Sequence, residues 1–474
     1  MKDMSYKIVT LFAIFVYAIA AVFSEGYYHP DEHFQILEFA AYKLGHVEEF
    51  QLPWEFNEAI RSSFMPWIAF MIMKIVANPY TVTLILRLLT TALAIFAIDR
   101  FFRATSKLLP VHVLLVYQLL SYFLWFLPFI NVRFSAETWS GLLFLWAVSY
   151  IYEDKGAAAI VGILCGFAFL ARFQAGIMFA GLFSWLFFIG KWQAKKLLII
   201  GVSFAGILLT GVWLDYLFYD SFTLTAINYF NINIVRNVAS QFGTMSWSAF
   251  LAETIIACIW PVGILIYIAV MIVAYRKPAS LLLWCIIPLS LVHFIIMHKE
   301  VRFLFPIANF LPFLILTAFY SLQRIMITRI VFWGLSAINI IALITIICYK
   351  PSEGRIAMTR YIYTHMDRSA RIYFLEGDNP FQPYNFLTQS FYDIPALHFT
   401  TLASYSNLKD EDFNRADGLI IRYRVIKDTG LIRHIERLHL KVVKAGNYNW
   451  ISTIKKAYYG KLFNDDGYVL LMKE

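Results

Sequence analysis

Between Tyr6 and Cys348 the sequence keeps returning to apolar runs of about 18 residues or more, the length at which a helix crosses the hydrocarbon core of a bilayer. The first is "YKIVTLFAIFVYAIAAVFSEG"; others follow at about 80–99, 108–130, 134–151, 156–172, 174–190, 196–218, 249–274, 279–297, 303–322 and 329–348. Backbone amides have no water to bind inside lipid, so runs of this kind are helical. The expected fold is an all-α polytopic membrane bundle of about eleven helices. With 60% apolar and 15% charged residues, the chain has too little polar surface for a soluble globule. The first run ends without an A-x-A-like cleavage site and is read as a membrane helix, not a removed signal.

Lys and Arg in the short loops assign the sides. "MKDMSYK", "DRFFRATSK", "EDKG", "GKWQAKK", "YRKP" and "QRIMITR" are expected in the cytoplasm, and the residues after the last run outside it. The net charge of +9 is scattered through these loops rather than gathered on one face, which argues against a nucleic-acid partner. "SSFMPWIAFMIMKIVA" is too short and interrupted to span, and is read as part of a first outer loop, residues 25–78, packed in or on the interface. Cys165, Cys258, Cys285 and Cys348 all fall in apolar segments without CxxC spacing, so neither disulfides nor a zinc site is expected.

From about Lys350 polar and apolar residues alternate. "RIYFLEG", "DGLIIRYRVI", "LKVVKAG" and "YVLLMKE" read as strands around a helical "GLIRHIERLH". The division expected is residues 1–349 as the catalytic membrane domain and 350–474 as a small extracytoplasmic α/β domain.

The outer loops carry the chemistry. Ionisable groups at a membrane boundary are costly to keep there, so each is a candidate for function. In "EGYYHPDEHFQ" Pro30 biases His29 away from helix, and Asp31 and Glu32 open a helical stretch. Asp31 has two readings, a helix cap or a general base for an acceptor hydroxyl. Two histidines, His29 and His33, without further clustered His make a poor metal site, and no metal is expected.

"HKEVRFLFP" places His298, Lys299 and Arg302 on the outer side, where the orientation rule disfavours cations. Such a cluster suits an anionic group such as a phosphate, against the plainer reading of side chains snorkelling to the interface. Arg133 lies four residues before Glu137, a spacing that also makes an ordinary helical ion pair. Arg172, with Gln174 nearby, also has the position of a carbonyl cap. Asp215, Asp220, Asn228, Asn231 and Asn233 lie in an aromatic, amide-rich loop suited to a sugar, although an interfacial aromatic belt has the same composition. No Walker loop, no GxGxxG after a strand and no DxD in a soluble nucleotide-binding domain is visible, which disfavours a nucleotide-sugar donor and ATP-driven transport. A carboxylate, a cation cluster and surrounding lipid together suggest sugar transfer from a membrane-anchored phosphate carrier.

"HPDEHFQ", "RFSAETW", "LARFQAG", "LDYLFYDSFTLTAINYFNINI" and "HKEVRFLFPI", in this order, resemble the α-mannosyltransferases of glycosyltransferase family 22, which use dolichyl-phosphate mannose. The resemblance covers about residues 20–350. It implies a GT-C fold, a lipid-linked sugar donor, a glycan or glycolipid acceptor, no cofactor, and inversion at the anomeric carbon. It makes Asp31 the catalytic base with Glu32 beside it, and matches His298, Lys299 and Arg302 to a family motif; donor-phosphate contact by these three, joined by Arg133, is a physical inference. His29, His33, Arg172, Gln174, Asp215 and Asn228 are expected to bind substrate. Two departures stand out: Val301 where members often have a second acid, and Asp220 where eukaryotic members usually have Gly. The compact chain suggests a bacterial homologue in the inner membrane using a polyprenyl phosphate such as undecaprenyl; a eukaryotic one would sit in the endoplasmic reticulum membrane. The competing readings are a GT-C enzyme for another lipid-phosphate sugar of the arabinose type, and a membrane transporter. Transporters tend to place their ionisable groups near the midplane in two related halves, and no such repeat is visible here.

Overall fold

The computed structural model describes residues 2–153, 157–321, 329–382, 390–394, 397–405, 408–409, 414–422, 429–446 and 467–473. The expected cytoplasmic loops "EDKG" and "QRIMITR", and the end of the strand expected in "DGLIIRYRVI", lie wholly or largely outside the described residues. The chain forms two compact units, one of residues 1–22, 55–68 and 85–347, the other of residues 23–54, 69–84 and 348–474.

The first unit is helical. By length and composition, four described helices of the chain suffice to cross a membrane: Met4–Phe23, Pro79–Ser106, Ala194–Tyr219 and Val301–Ser321. Trp247–Ala257 and Trp260–Arg276 make a fifth span if counted as one, but they meet at 116°. The expectation of one straight helix over 249–274 is thereby corrected. Ile259 sits at a positive φ of 60°, and Pro261 at the start of the second helix has no N–H to extend the first. The run at 108–130 is likewise divided, into Leu114–Phe123 and the short Leu127–Ile130, which has Pro128 in its first turn.

Gly141 in the helix Ala136–Glu153 lets two backbones come close: a Cβ there would lie 2.6 Å from the Cα of Pro306. Four residues earlier on both segments stand Glu137 and Arg302, so this approach sets up an ion pair between them. Ser135 starts the same helix, its hydroxyl accepting from the amide of Thr138 at 3.3 Å. Asn131 and Asn309 exchange amide hydrogen bonds of 2.8 and 2.9 Å nearby, satisfying polar groups that lipid would leave unpaired.

The helix Ala194–Tyr219 ends on Asp220, whose φ of 53° is left-handed. This position is a helix C-cap, a left-handed conformation that Gly, Asn or Asp tolerates best. Asp220→Gly relieves that strain but frees the unfolded chain by a similar amount, so stability is expected to stay within about 1 kcal/mol. Thermal unfolding checks this; a larger loss would show that the carboxylate, not the backbone, is what the site requires.

The second unit contains a five-stranded sheet: β1 (Arg371–Leu375), β2 (His398–Leu402), β3 (Gly418–Arg422), β4 (Leu440–Ala445) and β5 (Tyr468–Lys473), in the order β2-β1-β3-β5-β4. β1 is parallel to β2 and β3, and β5 is antiparallel to β3 and β4. β2, "HFTTL", was not among the expected strands, being short and only half apolar. Helices Glu353–His365 and Thr429–Arg437 complete the described α/β part. Ile356, Ile362, Ile372, Phe374, Ile420 and Leu470 share one buried core. Phe23–Trp54 belongs to this same unit.

Candidate functional site

The carboxylate turn lies in the second unit, on the five-residue helix Pro30–Phe34. Its N-cap is His29, not Asp31: the Asp31 amide donates to the His29 ring nitrogen Nδ1 at 3.3 Å. That nitrogen is also 3.4 Å from Asp31 Oδ1, so the two side chains are in contact. Pro30 at the first helical position loses nothing, because its missing N–H would have no helical partner. Glu32 is buried and its Oε2 accepts from the Tyr28 amide at 3.1 Å, which holds the turn shut. The Asp31 side chain keeps 23% of its exposure, so of the two adjacent acids it is the one nearer to solvent.

His33 is not placed for substrate. Its side chain is 1% exposed, and Nε2 donates to Glu38 Oε1 at 2.7 Å. Its ring stacks on Tyr392, with centroids 5.4 Å apart and 7° between planes. These contacts make His33 an internal anchor of the turn.

The cation cluster lies in the first unit. Glu137 Oε1 accepts from Arg172 Nη1 at 2.7 Å and from Arg302 Nη1 at 2.8 Å, with all three side chains at most 6% exposed. The two guanidinium groups also face the ring of Phe303, at 4.9 and 5.2 Å from its centroid. Arg302 further donates to Glu300, through Nε and through Nη2 at 3.2 Å. His298 Nε2 donates to Glu300 Oε1 at 2.8 Å, while Nδ1 lies 2.9 Å from the Gly243 carbonyl. The Glu300 carboxylate stabilises the imidazolium and holds the His298 pKa above its ordinary value. Lys299 Nζ donates to the carbonyls of Met245, at 2.7 Å, and of Ile296. Arg133 is buried in the turn before the helix Ala136–Glu153, its guanidinium 5.3 Å from the Phe129 ring centroid.

The predicted cations His298, Arg302 and Arg172 thus form one network, joined through Glu137 and Glu300. Its hub, Glu137, was missed because the spacing to Arg133 offered a local partner. The signal available was an acid in an otherwise apolar helical run.

Asp215 is a brace. Oδ1 accepts from the Ser63 amide and hydroxyl at 2.7 and 2.6 Å, and Oδ2 from the Thr225 hydroxyl at 2.6 Å. Three protein donors therefore reach the carboxylate. Asn228 ties the same region, donating to the carbonyls of Glu58 and Ala59 at 3.3 and 3.4 Å and to the Thr223 hydroxyl at 3.0 Å. Gln174 donates to the Tyr229 hydroxyl.

In sequence, the chain is 27% identical over 317 residues to GPI mannosyltransferase 3 of Candida albicans, covering 64% of this chain and 62% of the relative. It is 26% identical over 315 residues to human GPI alpha-1,2-mannosyltransferase 3, covering 62% and 54%. The chain thus spans about three fifths of the length of the curated relatives it matches. A bacterial origin for the likeness is not borne out, since these relatives are fungal and animal, with a further one in Arabidopsis thaliana. In fold it resembles ArnT from Cupriavidus metallidurans in the apo state, with a TM-score of 0.54 at 11% identity over 99% of this chain and 98% of the other. The same ArnT bound to undecaprenyl phosphate gives a TM-score of 0.53 at 10% identity, covering 98% and 97%. A model of the Alg9-like mannosyltransferase family, glycosyltransferase family 22, matches residues 8–377. With most of its length inside that match, the chain belongs to the Alg9-like mannosyltransferase family.

Proposed function

We propose that the chain is an inverting GT-C mannosyltransferase. It moves mannose from a polyprenyl-phosphate carrier to a hydroxyl of a glycan or glycolipid on the extracytoplasmic face of an integral membrane bundle of about eleven helices. The observation that carries this reading is that the family match, residues 8–377, takes in both the Asp31 turn and the buried cation network around Arg302. The names of the curated relatives as mannosyltransferases support mannose as the sugar.

The reaction is a single displacement. Asp31 takes the proton of the acceptor hydroxyl, whose oxygen attacks the anomeric carbon while the carbon–oxygen bond to phosphate breaks on the opposite face. The polyprenyl phosphate leaves with the bonding electron pair, and no acid is needed because phosphate is already a good leaving group. His298, Lys299, Arg302 and Arg133 offset the charge that grows on it. Arg302 is held by two carboxylates, so it presents a fixed guanidinium rather than a mobile one. Glu32 sets the backbone of the Asp31 turn, His29 orients the Asp31 carboxylate, and Arg172 and Gln174 line the sugar side.

The test is to incubate the purified protein with polyprenyl-phosphate mannose and a panel of mannosylated acceptors, and to determine the linkage of the product. Donor consumption with an α-mannosyl product of inverted configuration is expected. Failure to consume the donor with every acceptor, or turnover only of a lipid-phosphate arabinose-type donor run alongside, overturns the reading.

A further inference from the structure

We propose that Glu38 and Arg355 are positioning residues for the Asp31 turn, tying it to the polypeptide that follows the last apolar helix. This rests on the reading of Asp31 as the base. The helix Pro30–Phe34 is five residues long and too short to hold its own geometry, so contacts at its ends must do so.

Downstream of Asp31, His33 donates to Glu38, and both Glu38 oxygens accept the Phe391 amide at 3.1 Å. Glu38 and His33 are each 1% exposed, and a buried carboxylate with these donors has one low-energy arrangement. Upstream, the Tyr27 hydroxyl accepts from Arg355 Nη1 at 2.9 Å, and the Tyr27 carbonyl accepts from the Ser352 hydroxyl at 3.2 Å. Tyr27 and His33 also face each other, with ring centroids 5.5 Å apart. Gly26 has a φ of 89°, and a Cβ there would sit 2.2 Å from the Pro351 carbonyl oxygen, so the two backbone segments touch directly. The turn is therefore gripped on both sides of Asp31 by residues 351–355 and 391–392. A carboxylate that must meet an acceptor hydroxyl within about an ångström gains rate from such fixing, not affinity.

Four variants of the full chain test this: Tyr27→Phe, Glu38→Gln, and Arg355→Lys beside Arg355→Met. Tyr27→Phe removes one oxygen and keeps the ring, so it folds. With the donor and acceptor of the assay above, kcat per folded molecule is expected to fall about threefold to tenfold for Tyr27→Phe and more than tenfold for Glu38→Gln. The KM for the polyprenyl-phosphate donor is expected to stay within about twofold. Arg355→Lys, which keeps a donor for the Tyr27 hydroxyl, recovers most of what Arg355→Met loses. Amide hydrogen exchange at residues 31–35 quickens in Tyr27→Phe and Glu38→Gln, a readout that needs no turnover. Unchanged exchange, or a kcat equal to that of the parent protein in folded Tyr27→Phe and Glu38→Gln, overturns the inference. An inactive parent protein, or an active Asp31→Asn, overturns the functional reading instead.

Discussion

Asp31→Asn is expected to cut mannosyl transfer by about 100- to 10,000-fold, the contribution of a positioned general base. The replacement keeps the size and one acceptor oxygen of the side chain but cannot take the acceptor proton at neutral pH. It is expected to fold, because the helix cap belongs to His29 and the turn is held by Glu32, His33 and Tyr27 rather than by the Asp31 carboxylate alone. Size-exclusion behaviour and thermal unfolding in detergent report the fold, and single-turnover transfer reports the chemistry. Activity within about threefold of the parent protein would remove Asp31 from the role. Glu32→Ala is the companion: it removes the acceptor for the Tyr28 amide, so it is expected to lower transfer by loosening the turn, less than Asp31→Asn does.

The second large effect is in the first unit. Glu137→Gln leaves two buried guanidinium groups, those of Arg172 and Arg302, facing a neutral amide. Removing one partner of a buried ion pair costs about 3–5 kcal/mol when the remaining charge is stranded without water, and here the cost falls mainly on Arg172, since Arg302 keeps Glu300. A marked fall in the thermal midpoint is expected. Removing Arg172 as well, in Glu137→Gln/Arg172→Gln, relieves the repulsion, so the double variant is expected to be more stable than the sum of the single losses. A coupling of more than about 1 kcal/mol in this double-mutant cycle is the signature of the network. Additive losses, or a Glu137→Gln protein that melts with the parent, would show that Glu137 does not hold the two arginines.

Much of the architecture was legible because its causes are local. Apolar runs become helices wherever lipid leaves the backbone no other partner. The stretches at 371–375, 418–422, 440–445 and 468–473 became strands, being short runs rich in β-branched and apolar residues; those at 418–422 and 468–473 are buried over four successive residues rather than alternately. The breaks inside the runs at 108–130 and 249–274 were not anticipated, although Pro128 and Pro261 stand at them and their effect on a helix is local. The candidate residue types were readable too: carboxylates after a proline turn, and a run of cations between two apolar segments.

Partnership was not readable. Glu137 has Arg133 at helical spacing, but nothing in the sequence shows that it also accepts from Arg172 and Arg302, the second of them 165 positions away. Asp215 looked suited to a sugar, and Ser63, 152 positions earlier, occupies it instead. His33 looked like a ligand beside His29, and Glu38 with Tyr392 turned it into an anchor. In each case several polar or charged partners were available, and the sequence has no term for which of them the packing brings within hydrogen-bond distance. By itself, then, the sequence determined that this chain lives in a membrane, which family it resembles and which side chains are candidates for its chemistry. Only the tertiary structure decided which of those side chains are braces and which stay nearer to solvent, because hydrogen bonds and ion pairs act over a few ångströms of space, whatever their separation along the chain.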